Sequence, residues 1–316
     1  MKLSNYYLYK GKFRFRLAKK IGQEKYATMK HHYAGKKMLS ADEMNRYIYD
    51  ALKSNTPFMA CRFGSTELTS MSSFYFKRKA EYQKAIDHVC FYSGFFPNDI
   101  SLGQKFTDIM VDACETTDML AVWFVNYEDY FIKNHTRKDA QIGYLMNLEP
   151  WKSSTPWTKA LEGKKVLVIH PFEESIKSQY IKREKLFENK DILPKFELKT
   201  LKAVQTLAGT KDDRFKTWFD ALQYMYDEAM KIDFDVAILG CGAYGMPLAA
   251  MLKKSGKQAI HMGGITQILF GIKGKRWEEN PAYFYIKEMM NENWVYPLNT
   301  ERPKQAQKVE GNCYWG

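Results

Sequence analysis

Residues 234–254 read Phe-Asp-Val-Ala-Ile-Leu-Gly-Cys-Gly-Ala-Tyr-Gly-Met-Pro-Leu-Ala-Ala-Met-Leu-Lys-Lys. Phe234 to Leu239 is a short, nearly unbroken apolar run, the pattern of a strand buried on both faces. Three glycines follow as Gly240-x-Gly242-x-x-Gly245, and Met246 to Lys254 then reads as a helix. Strand, glycine turn and helix in this order form the repeating unit of a parallel α/β sheet, and the free amides of such a turn attract phosphate. The same glycines also permit close packing of helix on strand, so the motif allows a diphosphate without requiring one.

The pattern recurs along the chain. Phe58 to Phe63 reads as a buried strand broken by Gly64, and Ser65-Thr66-Glu67 opens the next helix. Met119 to Val125 is a second apolar run, preceded by an expected helix from Gly103 to Cys114. Lys165 to Ile169 is a third, ended by His170-Pro171 and followed by a helix carrying Ile176 and Tyr180. Phe196–Leu201 and Gln258–His261 fit two further strands, and 215–231 fits a helix. Ser40 and Glu43 have the spacing of a capping box in front of Met44, Ile48 and Leu52, a helix that Thr56-Pro57 ends. Alternating strands and helices predict an α/β, Rossmann-like fold with a mainly parallel sheet covered by helices on both faces.

Residues 149–163 hold two prolines and two tryptophans and read as a connection inside one fold. The expected organisation is a basic aromatic arm over 1–39, a single α/β domain over 40–299, and a tail over 300–316 that is solvated or binds a partner as a strap.

Composition sets the class. The 316 residues are 45% hydrophobic, 15% aromatic and 27% charged, which excludes a long disordered or collagen-like chain. No stretch offers the roughly 20 apolar residues of a membrane span, and no secretory apolar segment opens the sequence, so a cytoplasmic location is expected. Five widely spaced cysteines without a CxxC pattern point to buried thiols rather than a disulfide framework or a structural zinc site. The formal charge of +12 suits nucleic acid, an anionic membrane surface or a phosphorylated small molecule. Much of it lies before Ser40, where Lys and Arg alternate with Tyr6, Tyr7, Tyr9 and Phe13 and only Glu24 interrupts them.

Besides the glycine turn, two constellations can carry chemistry. Arg62-Phe63-Gly64-Ser65-Thr66-Glu67 places a guanidinium at a strand end and a carboxylate in the first helical turn, where ligands of open α/β sheets bind. The two could equally be a structural ion pair. Gly263-Gly264-x-x-Gln267-x-x-Phe270-Gly271-x-Lys273-Gly274-Lys275-Arg276-Trp277 combines glycines, cations and a stacking face suited to a nucleotide or sugar phosphate, or is a solvated basic loop anchored by Trp277. His170 and Ser175 after one strand, and Asn126, Glu128 and Asp129 after another, are reserve candidates. No GxSxG elbow, Walker lysine loop, HExxH or EF-hand loop is present, and no acidic residue follows Gln258–His261 as a dinucleotide site would need.

Arg62-Phe63-Gly64-Ser65-Thr66-Glu67 near the start of the fold, with Ile238-Leu239-Gly240-Cys241-Gly242-Ala243 and Leu248-Ala249 near its end, resembles the GT-D type glycosyltransferases of bacteria. The likeness spans roughly Ser40 to Asn299. The family's first motif reads Arg-Phe-Gly-Asp-Gly-Glu, whose Asp-x-Glu pair goes with a divalent metal and a UDP-sugar. This chain keeps the arginine, glycine and final carboxylate, while Ser65 and Thr66 replace Asp and Gly, which weakens the case for Mn²⁺ or Mg²⁺ at Glu67. The segments 94–97, 170–172 and 261–277 also resemble proteins encoded with bacterial surface-polysaccharide enzymes.

The resemblance implies transfer of a sugar from a nucleoside diphosphate sugar, UDP-sugar foremost, to a glycan or lipid-linked acceptor in surface-polysaccharide or glycoconjugate synthesis. Glu67, Arg62 and Arg276 are then the expected catalytic residues. The donor is expected to meet Gly64, Ser65, His170, Gly240, Gly242, Tyr244 and Gly245, and, from the basic loop, Gly263, Gly264, Gln267, Lys273 and Trp277. The basic arm would hold the chain at an anionic membrane surface. The alternatives are a catalytically inactive relative or a basic module for nucleic acid or an anionic surface; nucleic acid is disfavoured because no RRM, KH or zinc pattern accompanies the charge.

Overall fold

The computed structural model describes residues 3–303, 306–308 and 313–315. Helices α1 (Leu3–Ile21) and α2 (Gln23–Thr28) precede a hairpin of β1 (His32–Tyr33) and β2 (Lys36–Leu39). Next come α3 (Ala41–Lys53), β3 (Phe58–Arg62), α4 (Ser65–Tyr75), α5 (Tyr82–Ser93) and α6 (Gly103–Thr116). The first half closes with β4 (Met119–Val122), α7 (Glu128–His135) and β5 (Gln141–Tyr144). The second half runs β6 (Lys165–His170), α8 (Glu173–Ile181), β7 (Glu197–Lys202), α9 (Trp218–Met230), β8 (Val236–Leu239), α10 (Gly245–Lys254) and β9 (Gln258–His261). Short helices α11 (Thr266–Leu269), α12 (Lys275–Glu279) and α13 (Phe284–Met289) follow.

Among the described residues the strands form one sheet in the order β1-β2-β5-β4-β3-β9-β8-β6-β7. Only the β1–β2 pair is antiparallel. Two half-sheets meet along a single parallel pair, β3 with β9, in the register Phe58↔Gln258 and Ala60↔Ile260. Alternate residues of each strand enter opposite cores, as the two-residue period demands. Met59, Cys61, Leu120, Ile169 and Leu239 pack under α4, α6, α9 and α10, whereas Phe58, Ala60, Ala121, Val168 and Ile238 face α3 and α8. This is the expected α/β fold, and its central strands are largely apolar because both faces are covered, Gln258 and His261 of β9 being buried polar exceptions.

The capping box forms: Ser40 Oγ accepts from the Glu43 amide at 3.3 Å, and the Glu43 carboxylate accepts from the Ser40 amide at 2.9 Å. Strand β4 stops at Val122, three residues short of the apolar run. The Glu128 carboxylate takes the Trp123 and Phe124 amides at 3.2 and 2.8 Å, and Phe124 turns to φ +64°. Glu128 is therefore a structural group, and Asp129 is engaged by Arg14; these two reserve candidates belong to the scaffold.

The segment before Ser40 does not stand apart as an arm. Strand β2 joins the sheet through Met38↔Ile142 and Leu39↔Gly143, and α1 lies against α7. Arg14 reaches Asp129 at 2.9 Å with both side chains buried, and Tyr33 donates to Glu128 at 3.2 Å. The boundary expected at 39/40 thus falls inside the folded body. At the other end, Glu301 is buried and accepts from the Glu174 and Ser175 amides at 2.7 and 3.2 Å, complementing the start of α8. Ser175 donates to Glu301 and accepts from the Leu298 amide, so its hydroxyl holds the C-terminal segment and is not a ligand group. Among the described residues no helix is long and apolar enough to cross a membrane. All five cysteines are free and buried.

Candidate functional site

From β6 the chain passes to β7 on one side; from β8 it passes to β9 on the other. The carboxyl ends of β6 and β8 therefore flank a topological switch point, the place where open α/β sheets leave a crevice. A chamber of about 630 Å³, counting its open mouth, occupies that position. It is lined by His170 from the end of β6, Gly240, Gly242 and Tyr244 from the turn after β8, and Gly264 and Gln267 beyond β9. Ser93, Gly94, Gln205, Thr206, Tyr314 and Trp315 complete its wall.

Local geometry explains the glycines. A side chain at Gly240 would meet the His170 ring at 2.5 Å and Thr266 at 2.8 Å, and one at Gly245 would collide with the His261 ring. Gly242 sits at φ +59°, a left-handed conformation that favours glycine. Tyr244 stacks on Trp218 at 4.9 Å between ring centres, fixing this wall. His170 Nδ1 accepts from the Phe172 amide at 3.0 Å, so the neutral ring carries its proton on Nε2. Burial pushes the pKa of both His170 and His261 down to about 3, which keeps both rings neutral at ordinary pH. Gln267 is fully buried; its amide nitrogen donates to the carbonyls of Ile272, Lys273 and Tyr314, while Oε1 has no protein partner. The Trp315 indole N–H likewise has none. A buried polar atom left unpaired costs about 1–3 kcal/mol. Gln267 and Trp315 both line the chamber, whose wall thus holds an unpaired acceptor and an unpaired donor.

A second chamber of about 690 Å³, again with its mouth included, lies at the carboxyl ends of β3, β4 and β5. Arg62, Trp123, Glu149, Arg276, Trp277 and Gly264 line it, so Gly264 belongs to both chambers. The Tyr314 ring lines the first chamber and covers Gly264, and its hydroxyl accepts from Arg276 Nη1 at 2.9 Å. Arg62 lies over the Trp123 ring at 5.3 Å with its Nε buried and unpartnered. Glu149 is fully buried, and its Oε2 accepts from the Trp151 indole at 2.8 Å and the Tyr285 hydroxyl at 2.7 Å. Burial raises its pKa to about 7 despite those donors, the range of a group that exchanges protons at neutral pH.

The structure gathers His170, Gly240, Gly242, Tyr244, Gly264 and Gln267 into one chamber and Arg62, Arg276 and Trp277 into the other. It does not bring every expected residue there. Lys273 lies over the Tyr296 ring at 4.8 Å and lines neither chamber. Gly245 and Gly263 act through packing, Gly263 at φ +71° beside Arg62. Glu67 is buried with its carboxylate folded back against Gly64, Ser65 is exposed, and neither reaches a chamber wall. The donor set does not fit a metal held by side chains at Glu67. Ser65 supplies no carboxylate, and no group of three His, Cys, Asp or Glu side chains converges among the described residues. Sequence reasoning missed Glu149, Tyr314 and Trp315. The isolated acid in Leu148-Glu149-Pro150-Trp151 was the available signal for the first.

No family model and no curated protein matches the sequence. Two solved structures are similar to the chain at 14% identity. One is a selenomethionine-substituted domain of unknown function 1792, with a TM-score of 0.45, covering 88% of this chain and 90% of that one. The other is a domain of unknown function 1792 described as having a distinct glycosyltransferase fold, with a TM-score of 0.44 and coverages of 85% and 93%. The likeness is one of backbone course. What the chambers can do is read from their own residues.

The buried ionisable groups set an acid limit on stability. His170 and His261, near 6.5 when unfolded and near 3 when folded, take up protons first in the unfolded chain, so they destabilise the fold as pH falls from 6.5 to 3. Glu128 and Glu149, near 4.5 unfolded and about 7 folded, hold protons in the fold and stabilise it as pH falls from 7 to 4.5. The two trends offset each other between 4.5 and 6.5. Below 4.5 each histidine costs about 1.4 kcal/mol per pH unit, and carboxylates held low by their partners, Glu43 at about 2 among them, add to the loss. Urea unfolding at pH 6, 4.5 and 3.5 should show a plateau and then a loss of a few kcal/mol; equal stability at 4.5 and 3.5 would refute the assignment.

Proposed function

We propose that the chain is a glycosyltransferase that binds a nucleoside diphosphate sugar, UDP-sugar foremost, in the glycine-walled chamber and an acceptor hydroxyl in the arginine-walled one. The observation that carries this reading is the pair of chambers that share Gly264 in their walls. A group transfer needs two substrates side by side with water limited between them.

The unpartnered Gln267 Oε1 and Trp315 N–H suit the hydrogen-bonding edge of a nucleoside, and the turn before α10 borders the chamber at Gly240 and Gly242, where its backbone can meet a diphosphate. In the transfer, the acceptor hydroxyl oxygen bonds to the anomeric carbon as the bond from that carbon to the phosphate oxygen breaks. The electron pair departs on the diphosphate and the hydroxyl proton goes to a base. Glu149 is the buried carboxyl placed to take that proton, and Arg62 and Arg276 offset the leaving charge. Trp123, half-buried, gives the second chamber an aromatic face of the kind that sugar rings stack upon. A glycan or lipid-linked acceptor of bacterial surface polysaccharide fits that chemistry.

Thermal unfolding with UDP, GDP, CDP, TDP or NAD, each with and without Mn²⁺ or Mg²⁺, tests the reading. A ligand at 100 times its Kd adds about 2.7 kcal/mol, several degrees in Tm. One nucleoside diphosphate should give that shift, and Trp315→Phe, which removes the indole N–H, should reduce it. No shift with any nucleotide would remove the donor site and leave a binding module.

A further inference from the structure

We propose that the outer face of α1 is a docking surface for an anionic lipid membrane. The inner face of this helix is fully used. Ser4, Gly11, Arg14 and Ala18 are buried, a side chain at Gly11 would meet the Asn126 backbone at 2.9 Å, and Tyr7 packs edge-on to Tyr130 at 4.9 Å. Arg14 and Lys10 both reach Asp129, at 2.9 and 3.1 Å, so α1 is fastened to α7 in one orientation.

That orientation turns large apolar side chains to solvent. Leu3, Tyr6, Tyr9 and Phe13 are 57%, 45%, 60% and 71% exposed and recur every three or four residues, which places them on one side of the helix. Lys10, Lys12, Arg16, Lys19 and Lys20 are exposed around them, and no acidic residue occurs before Glu24. A surface helix of a soluble domain presents polar residues to water. A mixture of aromatic rings and cations without a carboxylate is instead the make-up of helices that lie in a lipid interface. The surface is a convex ridge, which suits a flat bilayer; a nucleic-acid strand is held in a basic groove.

The location adds to the argument. Gln23, at the start of α2 and two residues beyond α1, lines the second chamber, and Glu24 pairs with Lys152 at 3.1 Å beside the Glu149 segment. A bilayer resting on α1 therefore lies near the rim of that chamber. The docking proposal stands on the exposed face alone and holds whether or not the chambers transfer sugar.

The test is sedimentation of the full chain with vesicles of phosphatidylcholine alone and of phosphatidylcholine with 30% phosphatidylglycerol. Binding should be at least tenfold tighter to the anionic vesicles and should weaken between 0.1 and 0.5 M NaCl. The double variant Tyr9→Ser with Phe13→Ser, and separately Lys12→Glu with Arg16→Glu, should each lose at least tenfold. These side chains are exposed, so both variants should unfold at the wild-type urea midpoint and keep the wild-type nucleotide shift. Equal binding to both vesicle types, unchanged binding by both variants, or tighter binding to a 30-nucleotide single strand than to anionic vesicles would overturn the proposal.

Discussion

Glu149→Gln is expected to slow sugar transfer by about 10²- to 10⁴-fold, the range a positioned general base contributes. Glutamine keeps the volume and can still accept from Trp151 and Tyr285, so the wall of the second chamber stays in place. A neutral side chain also suits a fully buried position, and no loss of stability should accompany the change. The proton acceptor must be the carboxylate, whose pKa burial has raised to about 7. Transfer by the native protein should therefore rise with pH through about 7, and the variant should lose that limb of the profile. Nucleotide stabilisation should not change, because Glu149 does not line the chamber proposed for the donor. Transfer within threefold of the native rate, with the same pH dependence, would remove Glu149 from the chemistry and leave the donor site untouched.

Arg14→Ala is expected to destabilise the fold by about 3–5 kcal/mol, the usual cost of removing one member of a buried ion pair. The change strands Asp129, which is 3% exposed, and takes away the guanidinium that lies over the Tyr33 ring at 4.8 Å. Lys10 also reaches Asp129 from the surface and should hold the loss toward the lower end of that range. Urea unfolding measures it, and the double variant Arg14→Leu with Asp129→Leu separates charge from packing. If the pair serves mainly by being matched, the double variant should recover much of the loss. A single variant as stable as the native protein would mean that α1 is not held by this contact.

What the sequence made legible was whatever one strand or one turn determines alone. Strands β3, β6 and β8 stood out because a strand covered on both faces reads as a nearly continuous apolar run. Strand β5, Gln-Ile-Gly-Tyr, did not, since Gln141 and Gly143 break the apolar run; Gly143 is required because Met44 Sδ would lie 2.6 Å from a side chain there. Strand β2, Lys-Lys-Met-Leu, has one buried residue and is a strand because β5 pairs with it. The candidate site divides in the same way. The glycine turn and Arg62 announce themselves locally, while Glu149 sits in what reads as a connection and Trp315 in what reads as a tail. Their importance comes from contacts across more than a hundred residues, such as Tyr285 on Glu149. Glu67 shows the reverse, a residue singled out by its motif that the fold turns against Gly64 instead.

The single seam between the half-sheets has a consequence for synthesis on the ribosome. The first half-sheet has all its strands once Tyr144 has emerged, yet the free edge of β3 meets its partner only when Gln258 to Ile260 appear, some 200 residues after Phe58. Counted from Tyr144 the wait is about 115 residues, and at about 5–20 residues per second it is roughly 6–23 s. Through it the nascent chain carries an open strand edge, apolar from Phe58 to Cys61, in what will become the middle of the protein, a natural point of engagement for chaperones.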